Sequence, residues 1–158
     1  MVKVFVTYYS RTGNTKKMAD FVADGARLGK ADVTVKDVKD VKAAELLDYD
    51  GIIIGSPTYY GSMAWEVKKL LDDSVELHGE LEGKAGGAFS SAANIGGGNE
   101  TTVLDILNAL LIHGMVIQGA WQGDHYGPVS IDLPTSRVEG QCKALGLRVA
   151  ALAQKLCS

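Results

Sequence analysis

Apolar and polar positions alternate along this chain in two periods. Val2 to Tyr9 is β-rich and ends in polar residues, which predicts a first strand. Met18, Val22 and Ala26 then recur at helical spacing. Val33 to Val38 predicts a second strand, and Ala43 to Leu47 holds at most a short helix. Gly51-Ile52-Ile53-Ile54-Gly55 is a continuous apolar run bounded by glycines, the pattern of a strand buried on both faces. Met63 to Leu71 carries Trp65, Leu70 and Leu71 among charges and predicts a helix. Lys84 to Ser91 predicts a fourth strand. Thr101 to Ile112 predicts a helix with Val103, Leu107, Leu110 and Leu111 on one face, and Gly114 to Gly119 a fifth strand. The last segment sets Val138, Cys142, Leu145, Val149, Leu152 and Leu156 at alternating steps of four and three, an amphipathic stripe.

Strands alternating with helices predict an α/β fold, a parallel sheet covered on both faces. No internal repeat or low-complexity tract interrupts the pattern, and residues 1–158 are expected to form one domain. Ligands of such sheets bind beyond the carboxyl ends of the strands. The loops after Tyr9, Gly55, Ser91 and Gly119 are therefore the ones to inspect.

Composition narrows the function classes. Sixteen Lys and Arg against nineteen Asp and Glu give a net charge of −3, which argues against a strongly basic nucleic-acid binder. No stretch approaches the ~20 apolar residues of a membrane helix. The alternation of residues 1–7 predicts a strand rather than a signal peptide, and a cytoplasmic location is expected. Cys142 and Cys157 have no metal-ligand spacing, so neither a metal site nor a disulfide framework is expected. Cys142 is expected in the core. Trp65 and Met63 are read as helix-face packing, and His78 as part of a solvated loop.

The loop Ser10-Arg11-Thr12-Gly13-Asn14-Thr15 joins the first strand to a helix. A helix cap needs one hydroxyl or amide side chain, whereas this loop supplies four in six positions. With the unpaired N–H groups and positive dipole end of the following helix, it makes a phosphate site. The lysine of a triphosphate-binding loop is absent, and so is the glycine pattern of a dinucleotide loop. A monophosphate held non-covalently remains. After the third strand, Pro57-Thr58-Tyr59-Tyr60-Gly61 offers a stiff exit, flat aromatic surface and close backbone approach. After the fourth, Ser91-Ala92-Ala93-Asn94-Ile95-Gly96 is small, polar and glycine-rich.

On these residues the chain resembles the flavodoxin-like flavoproteins. Ser10 to Thr15 is similar to the family's phosphate loop, and Asp48 to Gly61 to its third strand and flavin loop. Phe89-Ser90-Ser91 through Gly96-Gly97-Gly98-Asn99-Glu100, followed by His113-Gly114-Met115-Val116-Ile117, resembles the WrbA branch, the FMN-dependent NAD(P)H:quinone oxidoreductases. The resemblance implies a five-stranded parallel sheet in the order 2-1-3-4-5 with helices on both faces. It implies non-covalent FMN, with Ser10, Arg11, Thr12, Gly13, Asn14 and Thr15 on its phosphate. Pro57, Thr58, Tyr59, Tyr60 and Gly61 would flank the isoalloxazine ring. Ser91, Ala92, Ala93, Asn94, Ile95 and Gly96 would meet the ring's polar edge and the ribityl chain. His113 matches a flavin-contacting histidine of that branch; its other reading is a helix-end residue favoured by the dipole. The chain departs from the branch at Thr12, where the branch has a tyrosine implicated in nicotinamide binding, and near His78, where it has a substrate-site tryptophan. It also lacks the branch's insertion before the third strand.

The resemblance thus implies an FMN-dependent oxidoreductase that passes electrons from NAD(P)H or another reduced donor to a quinone-like acceptor. The alternative is a flavodoxin, a one-electron carrier between redox protein partners. The loop Ala92 to Asn99 has no aromatic residue to cover the flavin, which favours the enzyme. Trp121, His125 and Tyr126, after the fifth strand, offer a lid or ordinary loop packing. The uncovered side leads to the expectation of a homodimer or higher homo-oligomer.

Overall fold

The computed structural model describes residues 1–157. Its strands are β1 (Lys3–Tyr8), β2 (Asp32–Asp37), β3 (Gly51–Tyr59), β4 (Ser62–Met63), β5 (Ala85–Ala92), β6 (Val116–Ile117) and β7 (Val129–Ile131). Its helices are α1 (Asn14–Leu28), α2 (Trp65–Asp73), α3 (Asn99–Ile112) and α4 (Ser136–Leu156). The residues from Ala43 to Asp48 form a 3₁₀ segment rather than an α-helix.

The parallel sheet has the order β2-β1-β3-β5-β6, which is the expected 2-1-3-4-5 order of its principal strands. Two features depart from that expectation. The fifth strand is split: β6 pairs with β5 at Ala85 and Gly86, and β7 pairs with it again at Ser90, Ser91 and Ala92. The third strand runs to Tyr59 and turns back as β4, so the following helix starts at Trp65 rather than Met63.

Period-two alternation builds two cores. Val4, Val6, Ile53 and Phe89 point to one face, where they pack with Met18 and Val22 of α1 and Cys142, Leu145 and Val149 of α4. Phe5, Ile52, Ile54 and Ala88 point to the other, against Val67 and Leu70 of α2 and Val103, Ile106 and Leu110 of α3. The isoleucine run of β3 is fully buried, as a central strand's must be.

Helices α1 and α4 cross with backbones nearly touching. A methyl group on Gly146 would stand 1.9 Å from the Val22 carbonyl oxygen, and one on Gly25 would stand 2.0 Å from that of Lys143. The α4 stripe holds through Val149 and then rotates onto Ala150 and Ala153, leaving Leu156 exposed. Trp65 is exposed on α2, against the packing role expected of it, because the helix buries Val67, Leu70 and Leu71 instead. Met63 is half-buried against the second core. Cys142 lies in the core, and burial pushes its thiol up to about 12. No described helix is long and apolar enough to cross a membrane.

Candidate functional site

The carboxyl ends of β1, β3, β5 and β7 open onto a cleft of about 430 Å³, a size typical of small-molecule sites. Arg11, Thr12, Asn14 and Thr15 line it from the first loop. Pro57, Thr58 and Tyr59 line it from the end of β3, and Ser91, Ala92 and Ala93 from the end of β5. Three loops distant in sequence thus meet there because their strands are sheet neighbours.

The first loop is shaped for an anion. Gly13 caps α1 at φ 101°, a conformation that glycine adopts at no steric cost. Its N–H donates to Ser10 Oγ at 3.1 Å, which tightens the loop. The first bond of α1 runs from Lys17 N to the Gly13 carbonyl, so the amides of Asn14, Thr15 and Lys16 have no acceptor within the helix. No acidic side chain stands in the first turn, and no side chain caps it. Thr15 Oγ1 is buried 2.9 Å from Ser91 Oγ, which locks the start of α1 to the end of β5.

The exit of β3 is a two-residue hairpin. Tyr59 pairs with Ser62, and Tyr60 and Gly61 between them have φ of 49° and 80°. Positive φ at both central positions is the twist that hairpin loops of this length require. Several hydroxyls clamp the hairpin to α3. Thr101 Oγ1 stands 2.6 Å from the Gly61 carbonyl, and Ser62 Oγ donates to Asp105 Oδ2 at 2.6 Å. Thr102 Oγ1 is 3.1 Å from Thr58 Oγ1, which is 3.0 Å from Ser90 Oγ. Gly98, the cap of α3, lies so close that a methyl group on it would be 2.7 Å from Gly61 Cα. Tyr59 meets Tyr9 edge to face at 6.4 Å. A hydrogen bond to Glu66 raises the Tyr9 hydroxyl above its ordinary pKa.

The remaining residues read from the sequence fall around the cleft or away from it. Tyr60 and Gly61 stand at the hairpin tip. Asn94, Ile95 and Gly96 form an exposed turn beside the cleft without lining it, with Gly97 N bonded to the Asn94 carbonyl. His113 is not brought to the site within one chain. It follows the last residue of the fourteen-residue α3, whose first turn faces the hairpin, so about 20 Å of helix separates the two. There His113 is buried and its Nε2 is bonded to Ser74 Oγ at 2.8 Å. Trp121, His125 and Tyr126 do not close over the cleft either. Their loop is tied to itself and to α4: His125 Nδ1 lies 2.7 Å from the Ala120 carbonyl, and Arg137 pairs with Asp124 at 2.8 Å.

Asp132 was not legible as a site residue. It lines the cleft just past β7, at φ 53°, with its N–H on the Ala92 carbonyl. A left-handed position suits Asp better than most residues, but only the unexpected β7 brings it here.

Helix amides without acceptors at one end of the cleft and the flat side chain of Tyr59 at the other fit a molecule with a phosphate and a planar ring. Residues 6–104 match the family described as Flavodoxin. The chain is 42% identical over 159 residues to a flavodoxin of Aquifex aeolicus, covering 95% of this chain and 86% of that one. It is 38% identical over 191 residues to an NAD(P)H dehydrogenase (quinone) of Archaeoglobus fulgidus, covering 99% and 100%. Among solved structures, a flavodoxin, WrbA-like protein from Agrobacterium tumefaciens superposes with a TM-score of 0.83 at 27% identity, over 98% of this chain and 99% of that one. With the matched segment running from β1 into α3 and the cleft at the carboxyl edge of its strands, the chain belongs to the flavodoxin family of FMN proteins.

Proposed function

We propose that this chain is an FMN-dependent oxidoreductase that takes electrons from a reduced nicotinamide dinucleotide and delivers them to a quinone. When bound, FMN supplies the electron transfer; the protein supplies position and electrostatics. The amides of Asn14, Thr15 and Lys16 hold the phosphate, and the hydroxyls of Thr12 and Thr15 stand beside them. Thr58 and Tyr59 present a flat wall to the ring. Ser91, Ala92 and Ala93 form the opposite, low wall.

That low wall is the observation that carries the reading. Ala92 and Ala93 are small, and the turn after them holds no aromatic side chain. A planar substrate therefore has access to the ring, which a direct transfer requires. The NAD(P)H dehydrogenase (quinone) relative of Archaeoglobus fulgidus supports the same assignment. An open side is also the reason to expect a second copy of the chain in the working assembly, which light scattering of the FMN-loaded protein tests.

The second reading is a one-electron carrier, favoured by the likeness to the Aquifex aeolicus flavodoxin. Anaerobic visible spectra of FMN-loaded protein with excess NADH or NADPH separate the two. Bleaching of the flavin within seconds, with reoxidation by added quinone, supports the enzyme. An unchanged oxidised spectrum supports the carrier, and failure to load FMN overturns both.

A further inference from the structure

The two edges of the sheet are built differently. At one edge the outer strand is broken into β6, of two residues, and β7, of three, with a loop between them. At the other, β2 runs six residues in unbroken register with β1, from Asp32 opposite Lys3 to Asp37 opposite Tyr8. Among the described residues it pairs with no other strand. It carries no proline and no bulge, two of the devices that keep an exposed edge from pairing.

The direction of the β2 amides follows from one bond. Asp32 N donates to the Val2 carbonyl at 2.9 Å, so Asp32 turns its backbone groups toward β1. That direction alternates along the strand, and Thr34 and Lys36 turn inward with it. Val33 and Val35 therefore aim N–H and C=O outward, and none of these four groups has a partner among the described residues. Their side chains pack against the core beneath α1 and α4, which holds this stretch of backbone in place. Asp32, Thr34 and Lys36 lie on the opposite face of the sheet. Lys36 is held by Glu45. The exposed carboxylate of Asp32 makes no hydrogen bond or ion pair among the described residues.

This edge is complementary to itself. In an antiparallel pair an outward residue faces an outward residue, because the two exchange both of their bonds. Setting Val33 opposite Val35 of a second copy makes four such bonds about a twofold axis at Thr34. In that register Asp32 stands across from Lys36 of the second copy, and by symmetry the pair occurs twice. The neighbouring registers lose this match. Val33 on Val33 puts Asp32 opposite Thr34, and Val35 on Val35 puts it opposite Val38. Charge therefore selects one register and one occupant. We propose that β2 is a homodimerisation edge, at which two copies of this chain pair antiparallel through Val33 and Val35, with Thr34 on the twofold axis, into one continuous sheet. Antiparallel pairing points the two clefts in opposite directions and leaves both open, unlike a copy seated on the open side of the cleft. The inference is independent of the cofactor and its chemistry.

Sedimentation of the protein over about 1–500 μM reads the association, since a contact this small belongs to the weak class. Wild type is expected to pass from monomer to dimer across that range, alike with and without FMN. Thr34→Lys sets like charges across the axis and should raise the dimer dissociation constant about tenfold or more. Asp32→Ala removes both ion pairs and should raise it about threefold. FMN affinity should stay within about twofold of wild type in each, because no residue of β2 lines the cleft. Thr34→Cys, made in a Cys157→Ser background, places two Cα atoms about 4.5 Å apart, within reach of a disulfide. Mild oxidation should then give a covalent dimer on a non-reducing gel, a result that does not depend on how well Thr34→Lys folds. A wild type that stays monomeric at the highest concentration overturns the proposal. So does a dimer that Thr34→Lys leaves intact, or one that Thr34→Cys does not cross-link, either of which would seat the contact elsewhere. Association that appears only with FMN bound also overturns it, by placing the contact at the cleft.

Discussion

The hydroxyls of Thr15 and Ser91 lie 2.9 Å apart in a buried contact between the first turn of α1 and the carboxyl end of β5. Seventy-six residues separate them in sequence. The contact fixes the amide-rich start of α1 against the opposite wall of the cleft, so one hydroxyl pair sets the spacing between the phosphate end and the ring end. Replacing Thr12 and Thr15 together by Val removes two cleft hydroxyls and leaves Ser91 Oγ without its partner, a loss of about 1–3 kcal/mol for a buried polar group. FMN affinity should fall by about tenfold or more, as read by quenching of flavin fluorescence. An unchanged affinity would remove the phosphate from this loop.

The crossing of α1 and α4 predicts opposite effects for two glycines of one helix. Gly146→Ala places a methyl group 1.9 Å from a backbone oxygen, and only separation of the helices relieves that contact. Such overpacking costs about 1–3 kcal/mol or more. Gly140, six residues earlier in α4, has no atom within 4 Å of where its Cβ would stand. Gly140→Ala should therefore stabilise by about 0.5–1 kcal/mol through helix propensity. Urea midpoints of the two variants decide; movement in the same direction would refute the backbone contact.

Sequence periodicity reached the elements whose burial is continuous. Ile52, Ile53 and Ile54 declare a central strand because both faces of β3 meet helices. It failed where an element is too short to have a period. β7 contributes only Val129, Ser130 and Ile131, and its pairing with β5 is what carries Asp132 into the cleft. The β3–β4 hairpin was hidden for a different reason: its turn puts a tyrosine where Asn or Gly is the usual signal. His113 could have been placed by counting. Fourteen residues from Asn99 put it at the opposite pole from the loop that starts the helix. The three cleft-lining loops were legible because each follows a strand and carries residue types a core would not use.

The two cysteines should react at different rates. Cys157 is exposed, whereas Cys142 is buried and its thiol is pushed from 9.0 up to about 12. A thiol reagent at neutral pH should label one sulfur promptly and the other only as the protein unfolds. The raised value also has a signed consequence. The folded chain keeps the Cys142 proton that the unfolded chain sheds above pH 9, so this contribution to stability is intact below pH 9 and declines as pH rises toward about 12. Between those limits Cys142→Ala should lose stability with pH less steeply than wild type, by up to ~1.4 kcal/mol per pH unit. Parallel slopes would place the thiol in a wetter site.

His113 should govern acid stability rather than flavin binding. Ser74 Oγ donates to the Leu71 carbonyl at 2.7 Å, so the His113 ring donates from Nε2 to Ser74 and carries no proton on Nδ1. Nδ1 is buried without a partner, and burial, aided by the charge of nearby His78, lowers the ring's pKa below 6.5. Protonation would set a cation and an unmatched N–H in a hollow whose other charged groups, Lys68 and Asp72, already pair with each other. The unfolded chain takes up the proton at higher pH than the fold does. Stability from this group is therefore full above pH 6.5 and falls as pH drops below it, until the folded ring itself protonates. Thermal unfolding from pH 7.5 to 5 should show that fall in wild type, and His113→Gln, which cannot titrate, should flatten it. The same variant should bind FMN as wild type does, since about 20 Å of α3 lies between the ring and the cleft. A loss of FMN affinity together with an unchanged acid slope would return His113 to the flavin site, supplied from a neighbouring copy of the chain.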